Sequence, residues 1–98
     1  MRVFQKTVAT PGTAEQLTTT RVTVCGSLII YAEKANMAAN TGPVYFGLKN
    51  MNKSTGVGVI AKLASGASLV IPNAGQCLTD GFWVDADNAN DGVRVVIA

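Results

Sequence analysis

The run from Arg21 to Glu33 alternates in side-chain character with period two, and it constrains the fold more than any other stretch. Val22, Val24, Gly26, Leu28, Ile30 and Ala32 fall on one face. Arg21, Thr23, Cys25, Ser27, Ile29, Tyr31 and Glu33 fall on the other. Successive strand side chains point to opposite faces, so alternation this long is strand periodicity and argues against a helix. Gly26 interrupts the run and predicts a bulge or corner, so that two strands share the segment.

The rest of the chain repeats this grammar in shorter pieces. Strands are expected over Arg2–Ala9, Ala14–Thr18 with an extension toward Thr20, Val44–Lys49, Val57–Leu63, Ala67–Ile71, Gly81–Asp85 and Val93–Ile97. Turn residues separate them: Thr10-Pro11-Gly12-Thr13, Thr41-Gly42-Pro43, Ala64-Ser65-Gly66, and Pro72 after Ile71. Asp87 to Gly92 reads as a solvated hairpin turn, with Asn, Asp and Gly placed for positive φ. Glu33–Ala39, Asn50–Gly56 and Asn73–Thr79 read as loops. Residues 1–98 therefore form one domain, an all-β antiparallel sandwich of seven to nine short strands, jelly-roll or immunoglobulin-like, with no substantial helix. Parallel βαβ units would need helical crossovers, for which no segment is available.

Alternation also predicts the core: Val22, Val24, Leu28, Ile30, Val44, Phe46, Leu48, Val59, Ala61, Leu63, Leu69, Ile71, Phe82, Val84, Val93, Val95 and Ile97. One domain of this size supports only a thin core, so contacts between subunits would add to its stability. Charged residues make up 14% of the chain, against ~25% in ordinary soluble domains. A surface so poor in charge suits burial against a partner.

Several function classes are disfavoured. The net charge is +2 and the basic residues are scattered, so no footprint for nucleic acid is present. The apolar run Leu28–Ala32 is far shorter than the ~20 residues of a membrane helix. No apolar segment follows the basic start, so no secretory signal is expected, and synthesis in a cytoplasm is. With no histidine, Ser-His-Asp and Cys-His catalysis are ruled out and no catalytic residue is assigned. Cys25 and Cys77 have no zinc spacing and are expected as free thiols, with a single bridge as the alternative. Gly56-Val57-Gly58 lacks the context of a nucleotide fingerprint, and no cofactor is expected. Asn52-Lys53-Ser54 matches a glycosylation sequon that has no secretory context.

Two candidate sites remain. Asp85-Ala86-Asp87-Asn88-Ala89-Asn90-Asp91-Gly92 is dense in oxygen ligands, but its spacing departs from a calcium loop and no glutamate closes it, so no metal is assigned. Tyr31, Tyr45 and Trp83 fall on faces opposite the predicted core. They are candidates for a protein interface or for stacking on sugars, against the plainer reading of cross-strand packing.

The order of turns and strands resembles that of small structural proteins of tailed bacteriophage virions. The likeness is carried by Val8–Leu17, Asn40-Thr41-Gly42-Pro43-Val44-Tyr45-Phe46-Gly47, Leu63–Ser68, Leu78–Asp85 and Asp91-Gly92-Val93-Arg94-Val95. It implies a β-sandwich that coats a capsid as a decoration or cement subunit, or that belongs to a head fibre or tail. It implies as partner the major capsid protein or another virion protein, a place on the virion surface, and a homo-oligomer, with a trimer expected. The alternative is a carbohydrate-binding module that uses the exposed aromatics. Lys34–Ala39 and Asn50–Gly56 are longer than the usual connectors of such proteins and are expected where the chain meets its own partner.

Overall fold

The computed structural model describes residues 2–24, 26–72 and 77–98, with the side chains of residues 23, 24 and 77 excepted. Seven strands of four to six residues carry the fold: β1 (Arg2–Thr7), β4 (Leu28–Tyr31), β7 (Val44–Leu48), β8 (Val59–Leu63), β9 (Ser68–Ile71), β11 (Phe82–Ala86) and β12 (Gly92–Ile97). Five two-residue strands complete it: β2 (Glu15–Gln16), β3 (Thr23–Val24), β5 (Glu33–Lys34), β6 (Ala38–Ala39) and β10 (Cys77–Leu78).

Two four-stranded antiparallel sheets make the sandwich. Sheet A has the order β1-β12-β4-β9, and sheet B the order β2-β11-β7-β8. The pairings are nested: β1 with β12, β2 with β11, β3 with β10, β4 with β9, and β7 with β8. The chain is thus one long hairpin ribbon rolled upon itself, with its tip between β7 and β8. That is the jelly-roll arrangement, and it sets aside the immunoglobulin-like alternative, whose sheets group the strands differently.

The core lies between the sheets. Leu28, Ile30, Val93 and Val95 from sheet A meet Val44, Phe46, Val84 and Phe82 from sheet B. The rings of Phe46 and Phe82 stack with centroids 4.9 Å apart. Val8, Leu17, Ala32 and Ala86 are also buried, although they lie at strand ends or beyond them. Val22, Ala61, Leu69 and Ile71 pack against the core but stay half-exposed.

Several expectations need correction. Leu48 was expected in the core but is 48% exposed. It ends β7 beyond a register shift at Phe46/Gly47, where Ile60 is the extra residue on β8; past that irregularity, alternation no longer tracks the inner face. Val59, beside the same shift, is only half-buried. Glu33–Ala39 is not a loop. It is a small hairpin, β5 and β6, joined by a tight 3-10 turn in which Asn36 and Met37 have φ near +60°. Asp87–Gly92 is not a hairpin turn, because β11 and β12 belong to different sheets and the segment crosses between them. Thr18–Thr20 does not extend β2, and Cys77–Leu78 form a strand where a loop was expected. The Arg21–Glu33 run divides around Gly26 into β3 and β4, as its alternation and its glycine suggested. Whether Cys25 and Cys77 pair lies outside the described residues.

Candidate interaction surfaces

The segment Asn40–Gly47 is held by acids that the sequence places in a solvated turn. Asp91 is fully buried; its two carboxylate oxygens accept the Thr41 and Gly42 amides at 2.8 and 2.9 Å. The Asn40 side chain donates to the Gly92 carbonyl and accepts the Gly92 amide. A Cβ on Gly92 would run into the Lys6 carbonyl, so this position needs glycine for close approach rather than for φ. Asp85, also buried, accepts the Gly12 amide at 3.0 Å and its neighbour Ala86 at 2.7 Å. Asp87 turns outward to Lys53. The three aspartates thus serve separate sets of backbone or side-chain partners, and no acidic cluster able to hold a metal forms among the described residues.

Tyr31, Tyr45 and Trp83 do not share a face. Tyr31 lies on the outer side of sheet A, opposite the inward-facing Leu28 and Ile30. Tyr45 and Trp83 lie on the outer side of sheet B, diagonal to each other across β7 and β11. Tyr31 stacks under the Arg94 guanidinium at 4.4 Å, and Arg94 in turn pairs with Glu33 at 3.0 Å. Trp83 is half-buried beside Gly47.

Tyr45 is only 8% exposed, although it faces away from the core. The ammonium groups of Lys53 and Lys62 each sit 5.7 Å from its ring centre, and its hydroxyl lies 3.3 Å from the Asp87 carboxylate. Lys53 also donates to the Ala86 carbonyl at 2.6 Å and to Asp87 at 3.0 Å. The Lys53 hydrogen bond holds the Asp87 carboxyl below its ordinary range against the opposing effect of burial, with help from Tyr45 and Lys62.

The tip of the ribbon completes this cover. Met51 is buried, and a Cβ on Gly47 would meet Gly58 and Met51. Asn52 accepts the Ser54 and Thr55 amides, which folds the tip back onto its own sheet. At the opposite edge, Glu15 accepts the Ala9 and Thr10 amides at 2.8 and 3.1 Å and pairs with Lys6 of β1 at 3.1 Å. Burial pushes the Glu15 carboxyl up, but the Thr10 amide, the Lys6 ammonium and the Ala9 amide outweigh it and hold the carboxyl below its ordinary value.

The outer side of sheet A is built differently. The β5–β6 hairpin packs over β1 and β12, where Gln5 donates to the Glu33 carbonyl and Arg94 pairs with Glu33. On the same side a row of β-branched residues runs across all four strands: Val3 opposite Val96, Val96 opposite Ile29, Ile29 opposite Val70. Val3 is 57% and Val70 52% exposed, and the two between them are half-exposed. Direct cross-strand neighbours sit ~4.5–5.5 Å apart, so the four side chains form one continuous apolar strip about 14 Å long. Sequence alternation had already turned Ile29 outward. What it lacked was the strand order that lines Ile29 up with Val3, Val70 and Val96.

One further cavity, of about 310 Å³, opens beside β1 between Phe4, Leu17, Val22 and Ile97, with Thr79 and Arg2 toward its polar side. The Thr79 hydroxyl is already engaged, donating to the Thr20 carbonyl and accepting the Val22 amide. Among the described residues no helix is long and apolar enough to cross a membrane. No known protein family, curated protein or solved structure matches the chain.

Proposed function

We propose that this protein is a non-enzymatic structural subunit of a tailed-phage virion, a capsid decoration protein that docks through the outer side of sheet A. The observation that carries the reading is the uncovered row Val3–Val96–Ile29–Val70. Val3 and Val70 are exposed and Val96 and Ile29 between them partly buried, and the apolar area still in water is unfavourable by roughly 25 cal/mol for each Å² that a partner would cover. The strip is small beside the ~800 Å² per partner of a stable interface. A single contact of this kind is weak, and repetition over many equivalent positions on a shell makes it effective. The jelly-roll topology supports the reading by analogy, since viral capsid domains use that fold among others. The virion assignment itself rests on the resemblance in turn order.

Lectin domains also use jelly rolls, and that keeps carbohydrate binding as the rival. The placement of the aromatics does not favour it. Tyr45 is roofed by two lysines, and Tyr31 lies on the other sheet. A head-fibre or tail location would use the same strip against another virion protein. The test is co-sedimentation of the purified protein with expanded, undecorated phage capsids. Saturable binding that falls at least tenfold in Val96→Asp, with the circular dichroism unchanged, is the expected result. No binding to any such capsid, together with a glycan-array signal abolished by Trp83→Ala, would replace this reading with the lectin one.

A further inference from the structure

Among the described residues the two large sheets have four unpaired strand edges, and three of them are guarded. β1 carries Arg2 and Lys6, and Lys6 is on the inward-facing register opposite Val93. Charges so placed are a recognised defence against edge-to-edge pairing. β2 is two residues long, and its Glu15 is tied to Lys6 and to two backbone amides. β8 has a register irregularity at Ile60 and presents Lys62. β9 differs from all three. Ser68-Leu69-Val70-Ile71 has no charge and no proline, and it pairs with β4 in unbroken register.

Leu69 and Ile71 point inward yet stay half-exposed, while their β4 partners Ile30 and Leu28 are fully buried. β9 is therefore a hydrophobic edge whose inner side chains are only partly covered. We infer that a second copy of this chain covers it, by antiparallel pairing of β9 with β9 across a two-fold axis normal to sheet A.

The register follows from side-chain alternation, because paired residues must face the same side. Placing Val70 opposite its own copy sets each Leu69 opposite an Ile71, inward against inward. No like charges meet anywhere in this pairing. The contact is isologous, so it closes at two copies instead of growing into a fibre. It joins the two A sheets into one of eight strands. A two-fold axis normal to the sheet keeps both outer faces on the same side. The strip Val3–Val96–Ile29–Val70 then runs on through Val70 of the second copy and doubles in length. This is a two-fold assembly in place of the trimer that the phage resemblance implies, and it needs no capsid to form.

Sedimentation equilibrium of the purified protein, without any capsid, tests it. The mass should rise with concentration from 10.2 kDa toward twice that value and no further. Val70→Lys places two ammonium groups face to face at the axis and should weaken self-association at least tenfold. Ile60→Lys, an equally exposed apolar position on the β8 edge, should leave it unchanged. Because Val70 faces solvent in the single copy, the variant should fold, with an unaltered circular dichroism spectrum. Mixing Val70→Lys with Val70→Glu should restore the dimer. Three outcomes would overturn the inference: a monomer at millimolar concentration, a dimer indifferent to Val70→Lys, or a mass that settles at three copies.

Discussion

The two outer faces of this sandwich solve the same problem in opposite ways. Sheet B has Tyr45, Gly47 and Asp85 on its outer side, and the chain covers them with its own ribbon tip, two lysines and the loop around Gly12. Sheet A has Val3, Ile29, Val70 and Val96 on its outer side, and the chain leaves Val3 and Val70 exposed and the two between them partly so. Polar outer residues are enclosed and apolar ones are displayed. A monomer built only to be stable would do the reverse, since an exposed Tyr or Asp loses little and an exposed strip of valines costs burial energy. The difference marks sheet B as the side that holds itself together and sheet A as the side where the proposed docking would take place.

The largest test of this contrast compares the two tyrosines. Tyr45→Ala on the closed face should destabilise the protein by about 3 kcal/mol, because it removes a buried ring and leaves Lys53 and Lys62 over a void. Tyr31→Ala on the open face should cost about 1 kcal/mol, as it loses a half-exposed ring and its stacking with Arg94. Urea denaturation measures both, and equal losses would erase the distinction.

A smaller effect concerns pH. Glu15 and Asp87 both have carboxyls held below their ordinary range in the folded chain. Each therefore binds protons more readily when unfolded, and each adds stability that is complete above the unfolded value of about 4. That stability is lost as the pH falls from there through the folded values. Both fastenings serve the closed face and its seam, so acid should loosen sheet B first. In Lys53→Met, thermal melting between about pH 5 and pH 2 should be less steep in pH than in the parent protein. An unchanged slope would remove Lys53 from the account.

The smallest effect is expected on the open face. Val96→Thr keeps a β-branched shape and exposes a hydroxyl to water, so the stability of the single chain should change by no more than about 0.5 kcal/mol. A loss above about 1.5 kcal/mol would mean that the strip is already covered within one copy.

The strands were legible wherever alternation was unbroken. Leu28 and Ile30, Val44 and Phe46, Phe82 and Val84, and Val93, Val95 and Ile97 all face inward as their spacing requires. Alternation failed where the pairing slips, and Leu48 and Val59 stand beside that irregularity. It could not find Val8 or Leu17 because their burial comes from the roll closing over strand ends, not from a strand face, whereas Ala32 is buried on the face that alternation gave it. The acids were misread for a related reason. Asn and Asp before Gly signal a turn, but only the fold shows that Asp91 turns inward to the Thr41 and Gly42 amides. The aromatics were correctly turned away from the core. What the sequence withheld was which sheet each belonged to, and so whether they could act together. The apolar strip was illegible for the same reason, since its four members come from four strands whose order is a property of the topology.

Nested pairing also sets the order in which the molecule can come into being. β7 and β8 are near in sequence and can pair as soon as both exist, whereas β1 has no partner until β12 arrives. Most of the domain's sequence separates β1 from β12. β12 lies between β1 and β4, so sheet A is incomplete without it. The strip Val3–Val96–Ile29–Val70 is therefore continuous only once β12 is in place. A chain lacking β12 would keep every strand of sheet B but would lose the continuous strip across sheet A.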